Sequence, residues 1–297
     1  MTKRRFYIQW EKDQMARVGE TICLSSRESH HLIHVLRLSP AAPVLLFDAQ
    51  GREMEGVVES LDPQGVTVRL TALSSPESLH PPRLHESESA EIPSVPGSDP
   101  KSPWIRAGLA LPMLKSDKIE TVLRMATEIG ADSFHLFASA RSVPRLDQAT
   151  LEKKIKRWQR IIQDAVRVSG TRAVPPISVY PSLDHLLSAL IPHGPVILAY
   201  EEKGFPLLSQ LLFSIPLISS DHVKSPSEAG LSGTQVQDGF QRRVTLVTGP
   251  EGGFTKEEVE MAKLRGVFVC SLGPRILRAE TAPIAALCAI LSCGGEI

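Results

Sequence analysis

Two junctions in this chain could do chemistry, each an apolar run that gives way to glycine and then to a helix-starting pattern. In the first, Val244 to Thr248 reads as a strand and is followed by Gly249-Pro250-Glu251-Gly252-Gly253 and Phe254. Thr255-Lys256-Glu257-Glu258 then forms a Thr-x-x-Glu pattern that can satisfy the free N–H groups of a new helix. Glycines at such a turn permit positive φ and let a ligand approach the backbone closely. They serve a plain tight turn equally well, so the stretch by itself leaves both uses open. Its spacing matches neither GxGxxG nor GxxxxGK followed by Ser or Thr, and a phosphate cradle is not expected. In the second junction, the strand-like run 267 to 272 leads into Gly273-Pro274-Arg275-Ile276-Leu277-Arg278-Ala279-Glu280-Thr281. A final apolar helix is predicted from about Ala282, with Thr281 as its N-cap. Arg278 and Glu280 set a cation and a carboxylate at the end of that loop, where they either act on a ligand or pin the loop as an ion pair. Ligands of open α/β sheets bind beyond the carboxyl ends of the strands, where both loops would lie.

Other groupings carry less. His30, His31 and His34 lack a further Cys or acidic ligand at zinc-finger spacing, so no metal is expected. Ser169 before Gly170 lacks the GxSxG context of a hydrolase nucleophile. Cys23, Cys270, Cys288 and Cys293 contain no CxxC, which argues against a zinc ribbon, a redox pair or a disulfide scaffold. Cys288 and Cys293 fall on the apolar C-terminal helix, where cysteine behaves as a small hydrophobe.

The elements that must position these residues divide the chain in two. Residues 1 to 72 show short strands, Val44 to Asp48, Glu55 to Val58 and Val66 to Leu70, spaced by turn residues as in a small β barrel or sandwich. Residues 74 to 103 are rich in Pro, Ser and Glu and read as a flexible linker. Beyond it, strand-like runs at 104 to 111, 133 to 138, 195 to 200, 244 to 248 and 267 to 272 alternate with helices. Ile119, Val122, Leu123, Ala126 and Ile129 mark one helix, with Ser116 and Asp117 as N-cap candidates and Gly130 as its stop. Leu151, Ile155, Trp158, Ile161, Ile162 and Ala165 mark another. This is an α/β domain with a largely parallel sheet over 104 to 297, and the polar stretch 219 to 241 reads as a loop insertion.

Charge adds one constraint. The 33 basic and 33 acidic residues cancel, so any nucleic-acid or membrane role must rest on local patches. One such patch is 141 to 172, with nine Lys or Arg against three acids, and Lys3, Arg4 and Arg5 head the first domain. The exposed helix face at Lys153 to Arg160 is equally compatible with plain solvation. The N-terminal stretch leads into no apolar signal-like run, and the longest apolar stretch, near 282 to 291, is too short to span a membrane. A soluble cytoplasmic protein is expected.

Four blocks carry a family resemblance. LVTGPEGGFTKEEV at 246 to 259 and SLGPRILRAETA at 271 to 282 resemble the signature blocks of the bacterial 16S ribosomal RNA uridine N3-methyltransferases, the RsmE family of the SPOUT superfamily. Residues 109 to 143 and 30 to 51 resemble the same family's mid-chain and N-terminal blocks. The resemblance implies an N-terminal PUA-like β barrel that grips RNA and a C-terminal SPOUT methyltransferase domain with a trefoil knot. It also implies S-adenosylmethionine as cofactor, 16S ribosomal RNA in the small subunit as substrate, and a homodimer.

By position, Gly249, Glu251, Gly252, Leu272, Gly273, Ile276 and Leu277 would enclose the cofactor. Arg4, Arg5, Lys115 and Arg141 are the candidate RNA contacts. Uracil N3 is a poor nucleophile while protonated, so Glu280 as general base and Arg278 as stabiliser of the charged base are the candidate catalytic pair. One block departs from the family pattern, since Val168 and Thr171 stand where a glutamine and an arginine are usual. The alternatives are a SPOUT enzyme with another RNA target and a catalytically silent RNA-binding or ribosome-assembly factor.

Overall fold

The structure is a computed structural model that describes residues 4–9, 16–48, 52–62, 65–73, 105–141, 148–171, 173–215, 242–294 and 297. The expected linker at 74–103 and insertion at 219–241 lie outside the described residues, as do Lys3 and Arg172. The chain divides into two compact units, one of Met1–Ala90 with Ile162–Val174 and one of Glu91–Ile161 with Pro175–Ile297.

In the first unit, β1 (Arg4–Tyr7), β2 (Thr21–Cys23), β3 (Pro43–Phe47), β4 (Glu53–Asp62) and β5 (Gly65–Leu73) form one sheet in the order β1-β3-β4-β5-β2. Only the β1–β3 pairing is parallel. A short helix, α1 (Ser26–His30), runs straight into a π-helical turn over His31–Val35. Alternation along β4 and β5 buries Met54 and Val58 with Val66, Val68 and Leu70, the period-two pattern of a half-buried sheet. Each such side chain contributes about 1.5–3 kcal/mol. Gly56 sits at a register shift in β4, where an added Cβ would come within 2.5 Å of Val68 Cγ1 and 2.9 Å of the Arg69 carbonyl oxygen.

The charged start of β1 hid that strand from a hydrophobicity reading, and Arg5 shows why. Its guanidinium is buried, donating to Glu53 Oε1 at 2.7 Å and to the carbonyls of Val166 and Thr171 at 3.1 Å. Residues 162–174 therefore group with the first unit, a feature no local pattern announces. In the same unit Arg27 pairs with Asp164, and Arg167 pairs with Asp164 at 3.0 Å and with the buried Glu28 at 3.4 Å.

The second unit carries a six-stranded sheet of β6 (Ile105–Pro112), β7 (Ser133–Phe137), β8 (Ile177–Tyr180), β9 (Val196–Ala199), β10 (Arg242–Val247) and β11 (Phe268–Cys270). Its order is β11-β9-β10-β6-β7-β8 and every described pairing is parallel, as the alternation of strands and helices predicts. Five of the six strands match the expected runs. Strand β8 was not expected, because its ISVY is short, follows two prolines and is only half-buried at the sheet edge.

The helices are α2 (Ser116–Ile129), α3 (Gln148–Ser169), α4 (Leu183–Leu190), α5 (Leu208–Ser214), α6 (Lys256–Leu264) and α7 (Ala282–Cys293). One expectation about caps needs correction, since the N-cap of α2 is Lys115 rather than Ser116 or Asp117. Thr281 is the N-cap of α7, as expected, but makes no side-chain capping bond. Instead the N–H groups of Thr281 and Ala282 both donate to the Arg278 carbonyl at 2.9 Å, which closes the turn into α7. Gly130 ends α2 in the left-handed region at φ 116°, as expected.

One buried group in this sheet makes stability depend on pH. His135 on β7 meets Ser133 Oγ at 3.0 Å through Nε2, while its Nδ1 is buried without a partner. Burial first, then the charge of Arg243, outweighs Asp132 and pushes the imidazole down to about 4. The unfolded chain, with an ordinary histidine near pH 6.5, therefore binds a proton that the folded chain refuses, and stability falls as pH drops from about 6.5 to 4. Discounted for partial solvent contact, this amounts to about 2 kcal/mol. Urea unfolding at pH 7, 5.5 and 4.5 should show that loss, and His135→Gln should flatten it by the same amount.

Candidate active site

The chain order of the second sheet creates its crevice. Strands β6, β7 and β8 run outward to one side, and the chain then returns to lay β10, β9 and β11 on the other side of β6. Such a reversal leaves a gap at the carboxyl ends of the strands. A cavity of about 600 Å³ lies there, walled by Tyr200 and Glu201 after β9, by 248–253 after β10 and by 271–280 after β11.

The local sequence explains the walls. Thr255 Oγ1 accepts from Glu258 N–H at 3.2 Å, and Glu258 Oε2 accepts from Thr255 N–H at 2.9 Å, so the expected capping box starts α6 directly behind the first glycine loop. Gly253 takes φ +69°, and its N–H donates to the Pro250 carbonyl at 2.9 Å to close the loop. A Cβ there would stand 1.8 Å from Glu201 Oε1, and one on Gly249 would press on the Phe254 ring at 3.2 Å. The second loop is tied at its start by Ser271 Oγ, which accepts from Gly273 N–H at 3.2 Å. The same segment pairs with a neighbouring stretch through Leu208 N–H to Ser271 O at 2.9 Å and Ser271 N–H to Pro206 O at 2.8 Å.

All seven residues read as cofactor candidates, Gly249, Glu251, Gly252, Leu272, Gly273, Ile276 and Leu277, line this one cavity, as do Arg278 and Glu280. Ile276 is nonetheless 85% exposed. Arg278 and Glu280 do not pair with each other; Glu280 Oε2 lies 3.4 Å from Lys118 Nζ, outside hydrogen-bond geometry. Among the described residues the Arg278 guanidinium makes no ion pair or hydrogen bond, so it does not pin the loop by that means. Lys118, on the first turn of α2, also donates to Glu251 Oε1 at 3.0 Å. Sequence reasoning missed Lys118, although it stands three residues beyond Lys115 in the same block.

Electrostatics sort the polar lining. The bond to Glu251, with Glu280 adding, outweighs burial and holds the Lys118 ammonium above its ordinary range. Burial pulls the Glu251 carboxyl up, but its own backbone N–H and Lys118 outweigh that and hold it below the usual carboxylate range. Burial pushes the Tyr200 phenol up to about 12, with Glu202 and Glu201 adding, and outside the lining it pushes the thiol of the buried Cys270 up to about 12. Neither is ionised near neutral pH, which removes both as nucleophiles or bases there.

The four RNA candidates are placed differently. Arg4 and Lys115 are exposed. Arg5 is committed to Glu53 and two carbonyls, as described above, with its side chain 10% exposed. Arg141 is exposed but donates to the Gly252 carbonyl at 2.7 Å, which makes it a support of the glycine loop. Val168 is 77% exposed, and neither it nor Thr171 lines the cavity. The rings of His30 and His34 lie with centroids 4.6 Å apart, tilted at 46°, on the first unit.

Residues 100–291 match the RNA methyltransferase domain family, and residues 24–71 match the RNA methyltransferase PUA domain. The chain is 28% identical over 291 residues to Ribosomal RNA small subunit methyltransferase E of Bacillus subtilis, covering 97% of this chain and 95% of that one. It is 30% identical over 199 residues to the protein of the same name from Mesomycoplasma hyopneumoniae, covering 67% and 74%. The chain belongs to the ribosomal RNA small subunit methyltransferase E family. Its fold is also that of the crystal structure of a Ribosomal RNA small subunit methyltransferase E from Neisseria gonorrhoeae bound to S-adenosyl methionine, with a TM-score of 0.67, 22% identity and 98% coverage of each chain. The two matches together account for the pairing of a PUA domain with an RNA methyltransferase domain.

Proposed function

We propose that this protein methylates N3 of a uridine in 16S ribosomal RNA of the small subunit, using S-adenosylmethionine. The observation that carries the reading is the convergence of both glycine loops and of Arg278 and Glu280 on one cavity. The residues suit that cofactor. Thr248 Oγ1 is buried without a partner beside the first loop, and glycines bring backbone to the wall where a Cβ would collide. Gly249, Gly252, Leu272, Gly273 and Leu277 would hold it through backbone groups and apolar contact.

The cofactor supplies a methyl group on a sulfonium. Glu280 would take the proton from uracil N3 and Arg278 would balance the negative charge left on the base, so that N3 could accept the methyl as its bond to the sulfonium breaks and the sulfur leaves as a neutral thioether. N3 faces the Watson–Crick partner, so a paired target must first be unpaired or flipped. Arg4 and Lys115 are exposed cations suited to phosphates, and RNA binding should weaken as salt rises.

The remaining expectations belong to the same proposal. The five-stranded first unit is read as the PUA-like barrel, and the passage of 271 beside 206–208 supports a knotted SPOUT domain. A homodimer is supported by the exposed apolar side chains Phe213 and Leu264. Among the described residues no helix is long and apolar enough to cross a membrane, and the cytoplasm is where the substrate would be met.

The test incubates the protein with methyl-labelled S-adenosylmethionine and small subunits from cells lacking the modification, then maps the label by nuclease digestion and mass spectrometry. Label on uridine N3 is expected. No label with cofactor still bound would point to another RNA target, and loss of both would point to the silent RNA-binding factor.

A further inference from the structure

We propose that Lys118 is a positioning residue for the transfer, anchored by Glu251 and set beside Glu280, so that it fixes where the proton-accepting carboxylate stands. The inference rests on the methyltransferase reading and on Glu280 as its base. Lys118 Nζ bonds Glu251 Oε1 at 3.0 Å but approaches Glu280 Oε2 only at 3.4 Å, without a hydrogen bond. This asymmetry matters. The glycine loop holds the ammonium, and the carboxylate of the second loop feels its charge while its oxygen stays open to a proton.

Among the described residues Lys118 is the only cation within 4 Å of either carboxylate. The other charged groups nearby are Glu251 across the cavity, Lys115 acting on Glu251, and Arg278 on Glu280's own loop. Helix α7, which follows Glu280 and packs on α2, brings no charged side chain. With Lys118 removed, no described cation remains within 4 Å of Glu280 to hold its carboxylate in place.

The experiment compares wild type, Lys118→Met, Lys118→Arg, Glu251→Gln and Glu280→Gln as full-length protein. It measures kcat against pH on small subunits at saturating cofactor, and cofactor Kd by calorimetry. Lys118→Met is expected to lower kcat about 10- to 100-fold and to leave the cofactor Kd within about threefold. Lys118→Arg should restore most of the rate, and Glu251→Gln should lower kcat by less than Lys118→Met does. Retained cofactor binding shows that the variants are folded.

A kcat that Glu280→Gln abolishes but Lys118→Met leaves at the wild-type value would overturn the role of Lys118 alone. Loss of cofactor binding in Lys118→Met that Lys118→Arg does not rescue would also overturn it, by making the residue structural. Wild type without transfer, or a Glu280→Gln protein as fast as wild type, would sink the base reading itself and this inference with it.

Discussion

Glu280→Gln is expected to lower kcat by about a hundredfold to ten-thousandfold while cofactor Kd stays nearly unchanged, the range that a general base contributes. The glutamine keeps the shape of the side chain at the end of the second loop but cannot take the uracil proton. The structure gives the substitution a clean context, because the Glu280 carboxylate makes no hydrogen bond that the fold needs and its neighbour Lys118 stays held by Glu251. Single-turnover rates from pH 6 to 9, read beside calorimetric cofactor binding, check it. A rate undiminished across that range would remove Glu280 as the base and leave positioning, with solvent taking the proton, as the source of the rate. Arg278→Ala in the same assay should fall by about a hundredfold or more, since it removes the cation proposed to balance the charge developing on the base.

Gly253→Ala is expected to weaken cofactor binding about tenfold or more with little change in global stability. Two costs meet at this position. A residue with a Cβ at φ +69° pays about 1–2 kcal/mol in the left-handed region, which alone is about tenfold in affinity if the loop relaxes to avoid it. The new methyl would also fall 1.8 Å from Glu201 Oε1. That carboxylate is the end of a flexible side chain and would swing aside, so its place in the cavity wall is lost rather than the fold. Calorimetry with S-adenosylmethionine, beside urea unfolding of both proteins, separates the two effects. A Kd within twofold of wild type would mean that the loop tolerates the side chain and that Gly253 only makes a turn.

Much of the candidate site was legible because it is local. Each glycine loop, its capping residues and its charged end lie within about fifteen consecutive residues, and strand-to-helix junctions are written in short-range pattern. The alternation of strands and helices likewise determined a parallel α/β sheet before any coordinates. What pairs across the chain was not legible. Lys118 meets Glu251 over 133 positions, and no periodicity joins a lysine at the start of one helix to a glutamate in a distant loop.

Arginines show the same limit from the other side. Arg5 and Arg141 read as solvent-facing cations for RNA, yet tertiary structure gives Arg5 to two carbonyls and Glu53, and Arg141 to the Gly252 carbonyl. Sequence alone determined which residue types stand at the two loops and that these loops end strands. Tertiary structure decided that the loops share one cavity, that Glu280 faces Lys118 while Arg278 is left unpaired, and which cations are spent on holding the fold. The reason is physical: a charge's role follows from what desolvates and pairs it, and those partners arrive from elements far apart in the chain.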